Sequence, residues 1–223
     1  MKKNILAVFA LATLSLTSCK KETTAAAEGA ETTEVVAAEG TNYAIKAGES
    51  TINWEGGKIS GDKHLGTINL QEGNLVMNDG KLVGGTLILD MNSITVTDLT
   101  DAEMKGKLEG HLKGLGDDAE SQDHFFNVKT YPTATLEITN VTEENGKQMV
   151  EGNFTMKGKT DVVKFPATIT ETETGVTLAT DEFTIDRTKW GVNHNSGTVI
   201  ADLAADKVIN DEIKLKASVA AVK

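Results

Sequence analysis

The chain has 223 residues and carries 22 Lys and Arg against 33 Asp and Glu, for a formal net charge of −11. That balance excludes a nucleic-acid partner, which needs a basic face, and adhesion to anionic lipid by charge alone. Hydrophobic residues make up 39%, and two prolines stand against 21 glycines, a composition that suits a globular domain built on a strongly curved sheet.

At the N-terminus, Lys2 and Lys3 precede an apolar run from Ile5 to Leu16. The run is shorter than the roughly 20 residues a bilayer span takes and has the layout of a secretory signal. Leu16-Thr17-Ser18-Cys19 follows. It resembles the bacterial lipobox, in which an aliphatic and two small residues precede a Cys whose thiol takes diacylglycerol. Residues 1–18 are therefore expected to be a lipoprotein signal peptide and Cys19 the lipid-attachment residue, anchored by acyl chains such as palmitate. Cys19 is the only cysteine, so once acylated it leaves no thiol for a disulfide, a nucleophile or a thiolate metal site. Lys20 follows it rather than Asp, which by analogy with enteric sorting points to the outer membrane. Fifteen of the 21 residues from Lys20 to Gly40 are Thr, Ala or Glu, so residues 19–40 read as the lipidated Cys and a disordered tether. Such a chain has a root-mean-square span of roughly 25 Å. The expected location is the cell envelope, facing the periplasm or the cell surface.

From Tyr43 onward the period is two. Ile52 and Trp54 alternate with Thr51 and Asn53, and Ile68 and Leu70 with Thr67 and Asn69. The phase then jumps to Leu75 and Met77, which predicts a bulge. Val83, Leu87, Leu89 and Met91 share the next face, and Ala134, Leu136 and Ile138 the one after. Further sets run through Val150, Phe154 and Met156, then Val163, Phe165 and Ala167, then Val176 and Leu178, then Phe183 and Ile185. The last is Ile209, Ile213, Leu215, Ala217 and Val219. Strict alternation means one dry and one wet face per strand. Asn78-Asp79-Gly80, Asn145-Gly146, Lys157-Gly158-Lys159 and Thr174-Gly175 are hairpin-type turns. Consecutive hairpins with one apolar face give a sandwich or a closed barrel. One segment breaks the pattern: Thr100-Asp101-Ala102-Glu103 reads as a capping box, and Met104, Leu108, His111, Leu112 and Leu115 follow at helical spacing. A helix is expected from Asp101 to about Lys113, weakened by Gly106 and Gly110.

Seven runs in order now carry a resemblance. They are Thr51-Ile52-Asn53-Trp54; His64-x-Gly66; Gly84-Gly85 with Asp90-Met91-Asn92-Ser93-Ile94; Leu108-Glu109-Gly110-His111-Leu112-Lys113; Phe125-Phe126 with Tyr131-Pro132-Thr133-Ala134-Thr135; Gly152 to Thr160; and Ile185-Asp186-Arg187-Thr188-Lys189-Trp190-Gly191. From Tyr43 to Ala220 the chain resembles the YceI-like family of polyisoprenoid-binding periplasmic proteins, in its Bacteroidetes-type lipoprotein branch. The resemblance implies an all-β fold for residues 41–223: an extended antiparallel eight-stranded lipocalin-like barrel with a short helical insertion. It also implies an apolar lumen for a long isoprenoid or other amphiphile, and eight strands make about the smallest barrel that holds one slender ligand. The chain departs from the family pattern twice. Gly114 to Gln122 looks inserted, with His124 where an Asp is common. After Gly191, aromatic positions are replaced through Val192-Asn193-His194-Asn195 and on to Ile200.

Trp54, Phe125, Phe126, Phe154, Phe183 and Trp190 are the large apolar side chains expected to point inward, as lumen lining or as plain core. His64, His111, Arg187 and His194 are candidates for holding a polar headgroup. For Arg187 a structural ion pair with a neighbouring strand is the favoured alternative. The four histidines, His64, His111, His124 and His194, show no H-x-x-x-H spacing, so no metal site is expected from local signature. No catalytic residue is expected either: there is no Gly-x-Ser-x-Gly elbow and no phosphate loop. The expected function is binding of an isoprenoid, quinone or fatty-acyl lipid for storage or transport, with no other cofactor. The expected partners are the membrane and a hydrophobic small molecule, and oligomerisation stays open. The competing reading is an envelope interaction or stress protein with a packed, closed barrel that acts through its surface.

Overall fold

The computed structural model describes residues 38–223. The signal peptide, Cys19 and most of the tether expected over residues 19–40 lie outside the described residues. The strands are β1 (Thr41–Ile45), β2 (Thr51–Gly57), β3 (Lys63–Asn78), β4 (Lys81–Val96), β5 (Thr133–Glu144), β6 (Lys147–Met156), β7 (Lys159–Glu171), β8 (Gly175–Thr180), β9 (Phe183–Asp186) and β10 (Glu212–Val222). Two helices, α1 (Ala102–Lys113) and α2 (Ala119–Asp123), interrupt the series between β4 and β5.

Strands β2 to β8 pair in succession, and β10 pairs antiparallel with both β8 and β2. Eight strands thus close a ring, which is how a barrel limits edge-to-edge association. The extra strands sit at the seam. β1 bridges β3 and β10, and β9 pairs with the first residues of β10. Three of the four expected turns are two-residue loops with positive φ at both positions: Asp79-Gly80, Asn145-Gly146 and Lys157-Gly158. That backbone twist matches the twist of the flanking strands. The fourth spans three residues, where the Thr172 N–H and hydroxyl both donate to the Gly175 carbonyl.

The predicted bulge in β3 is present. Leu70 pairs with Leu89 and Glu72 with Ile88, so Gln71 is the extra residue that moves Leu75 and Met77 onto the inner face. A second shift falls where alternation gives no warning. Val76 pairs with Gly84 but Met77 with Leu82, so Leu82 is buried in place of the expected Val83. The helix starts one residue later than the capping box implies. Asp101, not Thr100, is the N-cap, its carboxylate accepting the Met104 N–H at 2.8 Å. Gly114 ends the helix at φ 72.

The inner face divides into two parts. Near the β1 end, Tyr43, Leu70, Leu75, Met77, Leu82 and Val150 pack into a solid plug. The Tyr43 hydroxyl, at the edge of the plug, donates to Glu171 Oε1 at 2.6 Å. Toward the other end the inward side chains stand apart around a cavity.

Candidate functional site

That cavity has a volume of about 740 Å³. Its wall is built from alternate residues of the ring, among them Ile52, Ile68, Leu87, Leu89, Leu136 and Leu215. Its mouth is framed by the β2–β3 loop (Lys58, Asp62), by Asp98 and Leu99, by α1 through Leu108, His111 and Leu112, and by His194, Asn195 and Asn210. Apart from this rim, the lumen offers an occupant mainly hydrocarbon and aromatic faces. Trp54, Phe125, Phe126, Phe154 and Phe183 all belong to its wall. Phe183 stacks on Phe165 with ring centres 4.7 Å apart. Trp54 carries a buried indole N–H with no partner among the described residues.

Of the two placements open for Trp190, lumen lining or plain core, the structure shows core. The ring is buried outside the cavity wall, edge-on to Phe154 at 5.4 Å, and its N–H donates to the Phe154 carbonyl at 2.8 Å. Arg187 takes the structural ion pair that was the favoured alternative, with Asp211, and not the headgroup role. Its side chain reaches the cavity wall but is almost wholly buried, and its N–H groups are taken up by protein. Nε donates to the Asn210 carbonyl, Nη1 to the Val192 carbonyl, and Nη2 to both the Ile209 carbonyl and Asp211 Oδ1. Of five donors one is left, too few for the two-pronged grip an anionic headgroup would need. Arg187 instead ties the Val192–Asp211 loop to the end of β9. Burial pushes its pKa down, and Asp211 and Asp186 oppose this.

His64 stands at the mouth, its Nδ1 2.9 Å from Asp98 Oδ2. Burial acts to raise the Asp98 carboxyl, but the Leu65 N–H and His64 outweigh it and hold it below the usual range.

The other three histidines, separate in sequence, meet in space. His111 is on the last turn of α1. The chain then passes through Gly114 and α2 and comes back against the helix end, with the Phe126 N–H on the Leu112 carbonyl and the Val128 N–H on the Lys113 carbonyl. Buried Lys157 fastens α2 from below through the Asp123 carbonyl at 3.0 Å and its carboxylate at 2.9 Å. These bonds set His124 beside His111, with Nδ1 of His124 2.9 Å from Nε2 of His111. His194 arrives from the Arg187-clamped loop. The Ser196 N–H caps the Asn193 carbonyl, Asn195 takes φ 50, and the Ile209 N–H bonds the Asn195 carbonyl. The His194 ring stacks on His124 at 4.0 Å and meets His111 at 5.1 Å. Burial, then His124, His111 and Arg187, lower the His194 pKa to about 4. Burial and His124 lower that of His111. Sequence spacing missed this cluster because its members lie on three separate segments.

A family model described as the YceI-like domain matches residues 43–221. The sequence matches no curated protein. Among solved structures, BcnA from Burkholderia cenocepacia is similar with a TM-score of 0.55 at 21% identity, covering 80% of this chain and 99% of its own. A polyisoprenoid binding domain from Saccharophagus degradans, implicated in plant cell wall breakdown, gives 0.54 at 16%, covering 81% and 97%. At these identities the likeness is one of fold.

Proposed function

The chain belongs to the YceI-like domain family, and from that membership we propose that the hollow half of its barrel takes up a long-chain amphiphile. An isoprenoid, a quinone or a fatty-acyl lipid fits this description. The observation that carries the reading is the apolar lumen of about 740 Å³ with a polar mouth at one end. Its size falls within the range of small-molecule sites, about 300–1,000 Å³. Transfer of a hydrocarbon tail from water into such a wall gains about 0.8 kcal/mol per buried CH₂. A headgroup left at the His64 and His111 rim stays hydrated. The polyisoprenoid binding of the Saccharophagus degradans domain adds weight to the same choice of ligand class.

The role is one of binding, for storage or transport, rather than catalysis. Cys19, acylated at the end of a tether, keeps the barrel beside a membrane, with Lys20 favouring the outer one. The packed-barrel alternative is the weaker reading, because only the β1 half is filled. Native mass spectrometry of the full-length chain from an envelope fraction, followed by lipid extraction, tests the binding. A lipid adduct is expected. Recovery of the bare protein mass, with no uptake of polyprenyl or acyl probes by the delipidated protein, overturns it. Labelled palmitate incorporated by the wild type and lost in Cys19→Ala tests the anchor.

A further inference from the structure

We propose that His111, His124 and His194 form a binding site for one divalent transition-metal ion of the zinc or copper class at the mouth of the lumen. Each histidine offers a ring nitrogen, and all three nitrogens lie within 4.8 Å of one another. The closest pair, His111 Nε2 and His124 Nδ1, is 2.9 Å apart. A zinc ion bound at about 2.0–2.1 Å in tetrahedral geometry separates its ligand atoms by about 3.3 Å, between those bounds. Small rotations about the side-chain torsions therefore bring the rings from mutual contact to a shared ion.

The donor set selects the metal. Imidazole alone suits zinc, copper and nickel, whereas calcium and magnesium demand oxygen ligands. Three histidines leave one coordination position open, as in zinc sites that exchange a ligand. His111 and His194 also belong to the cavity wall, so the open position faces the lumen and takes an oxygen donor, water in the first instance. The scaffold is built rather than incidental. The 2.9–3.1 Å backbone bonds after α2 fix His124 against His111, and the Arg187 bond to the Val192 carbonyl fixes the loop of His194. Asp211, paired with Arg187 at 3.2 Å, and Asp123, paired with Lys157 at 2.9 Å, offset the two buried cations nearby. His64 is engaged by Asp98 and stands outside the cluster.

The site does not depend on the lumen holding an amphiphile, since an empty barrel presents the same three nitrogens. Titrating the chelator-stripped full-length chain with zinc chloride by calorimetry near neutral pH is the test. One zinc per chain is expected. His111→Ala, His124→Ala and His194→Ala should each weaken binding by about tenfold or more, of the order seen when a metal site loses support. His64→Ala should bind as the wild type does, and magnesium chloride should give no binding. Circular dichroism of each variant checks folding, and Gln replaces Ala wherever Ala unfolds the chain. No saturable binding at one equivalent overturns the proposal, and so does undiminished binding in the folded variants. Lipid uptake by the metal-free protein reports separately on the lumen.

Discussion

The indole of Trp54 occupies the space that a side chain at residue 66 would need. Trp54 and Gly66 are partners across β2 and β3. A Cβ on Gly66 would lie 2.5 Å from the indole Cε2, and nearer still to Cζ2 and to the Thr95 carbonyl oxygen. The pairing of Trp54 with His64-x-Gly66 in the sequence thus has a steric cause: the strand gives up a side chain so that the ring can lie against its backbone. Gly66→Ala is expected to destabilise the domain by about 1–3 kcal/mol, the usual cost of overpacking. The midpoint of denaturant unfolding measures it. Trp54→Ala in the same chain should relieve only part of that cost, because Thr95 blocks the position too.

Filling the lumen should separate binding from stability. Ala217 lies on β10 opposite Ile52 and is part of the cavity wall. A phenyl ring there enters empty space and not packed core, so Ala217→Phe is expected to keep the melting temperature within a few degrees of wild type. It should weaken uptake of a long-chain acyl or polyprenyl probe by about tenfold, or 1.4 kcal/mol. A fluorescent-probe titration reads the loss.

Alternation made most of the barrel legible, because inward Leu87, Leu89 and Leu136 repeat at the strand period. It could not separate plug from lumen. Leu75 and Leu215 are the same kind of residue at the same kind of position, and only closure of the ring decides that one packs and the other lines a cavity. Leu82 for Val83 failed for a related reason: a bulge changes phase without needing any particular residue. His124 and His194 were visible as departures from the family pattern but not as neighbours, since they lie on two segments far apart in the sequence, one after α2 and one between β9 and β10. Arg187 was legible as a partner of an acidic group, while three of its four acceptor residues are backbone carbonyls that no side-chain pattern announces.

Because the guanidinium joins three backbone carbonyls and Asp211 at one buried point, removing it should be severe. Arg187→Met is expected to cost about 3–5 kcal/mol, as expected when a buried charge loses its partner. Arg187→Lys should recover little, because one ammonium cannot reach four acceptors spread as a planar fork reaches them. Thermal unfolding of the two variants against wild type measures both. Hydrogen exchange should show the Val192–Asp211 loop losing protection first.

The histidine cluster also sets a pH dependence for the metal-free protein. His194 takes up a proton near its ordinary 6.5 in the unfolded chain but only near 4 in the folded one. Between those values the unfolded state binds more protons, so stability must fall as the solution is acidified. Above pH 6.5 both states are neutral at His194 and the effect vanishes. Below about pH 4 both are charged and the loss is complete. His111, lowered in the same direction by burial and by His124, adds to the slope. The melting temperature of chelator-treated protein is therefore expected to drop by several degrees from neutral pH to pH 4.5, each kcal/mol being about 2–4 °C at this size. His194→Asn, which keeps a polar side chain but does not titrate, should flatten that segment of the curve. An unchanged slope in the variant would place the titration elsewhere than the cluster.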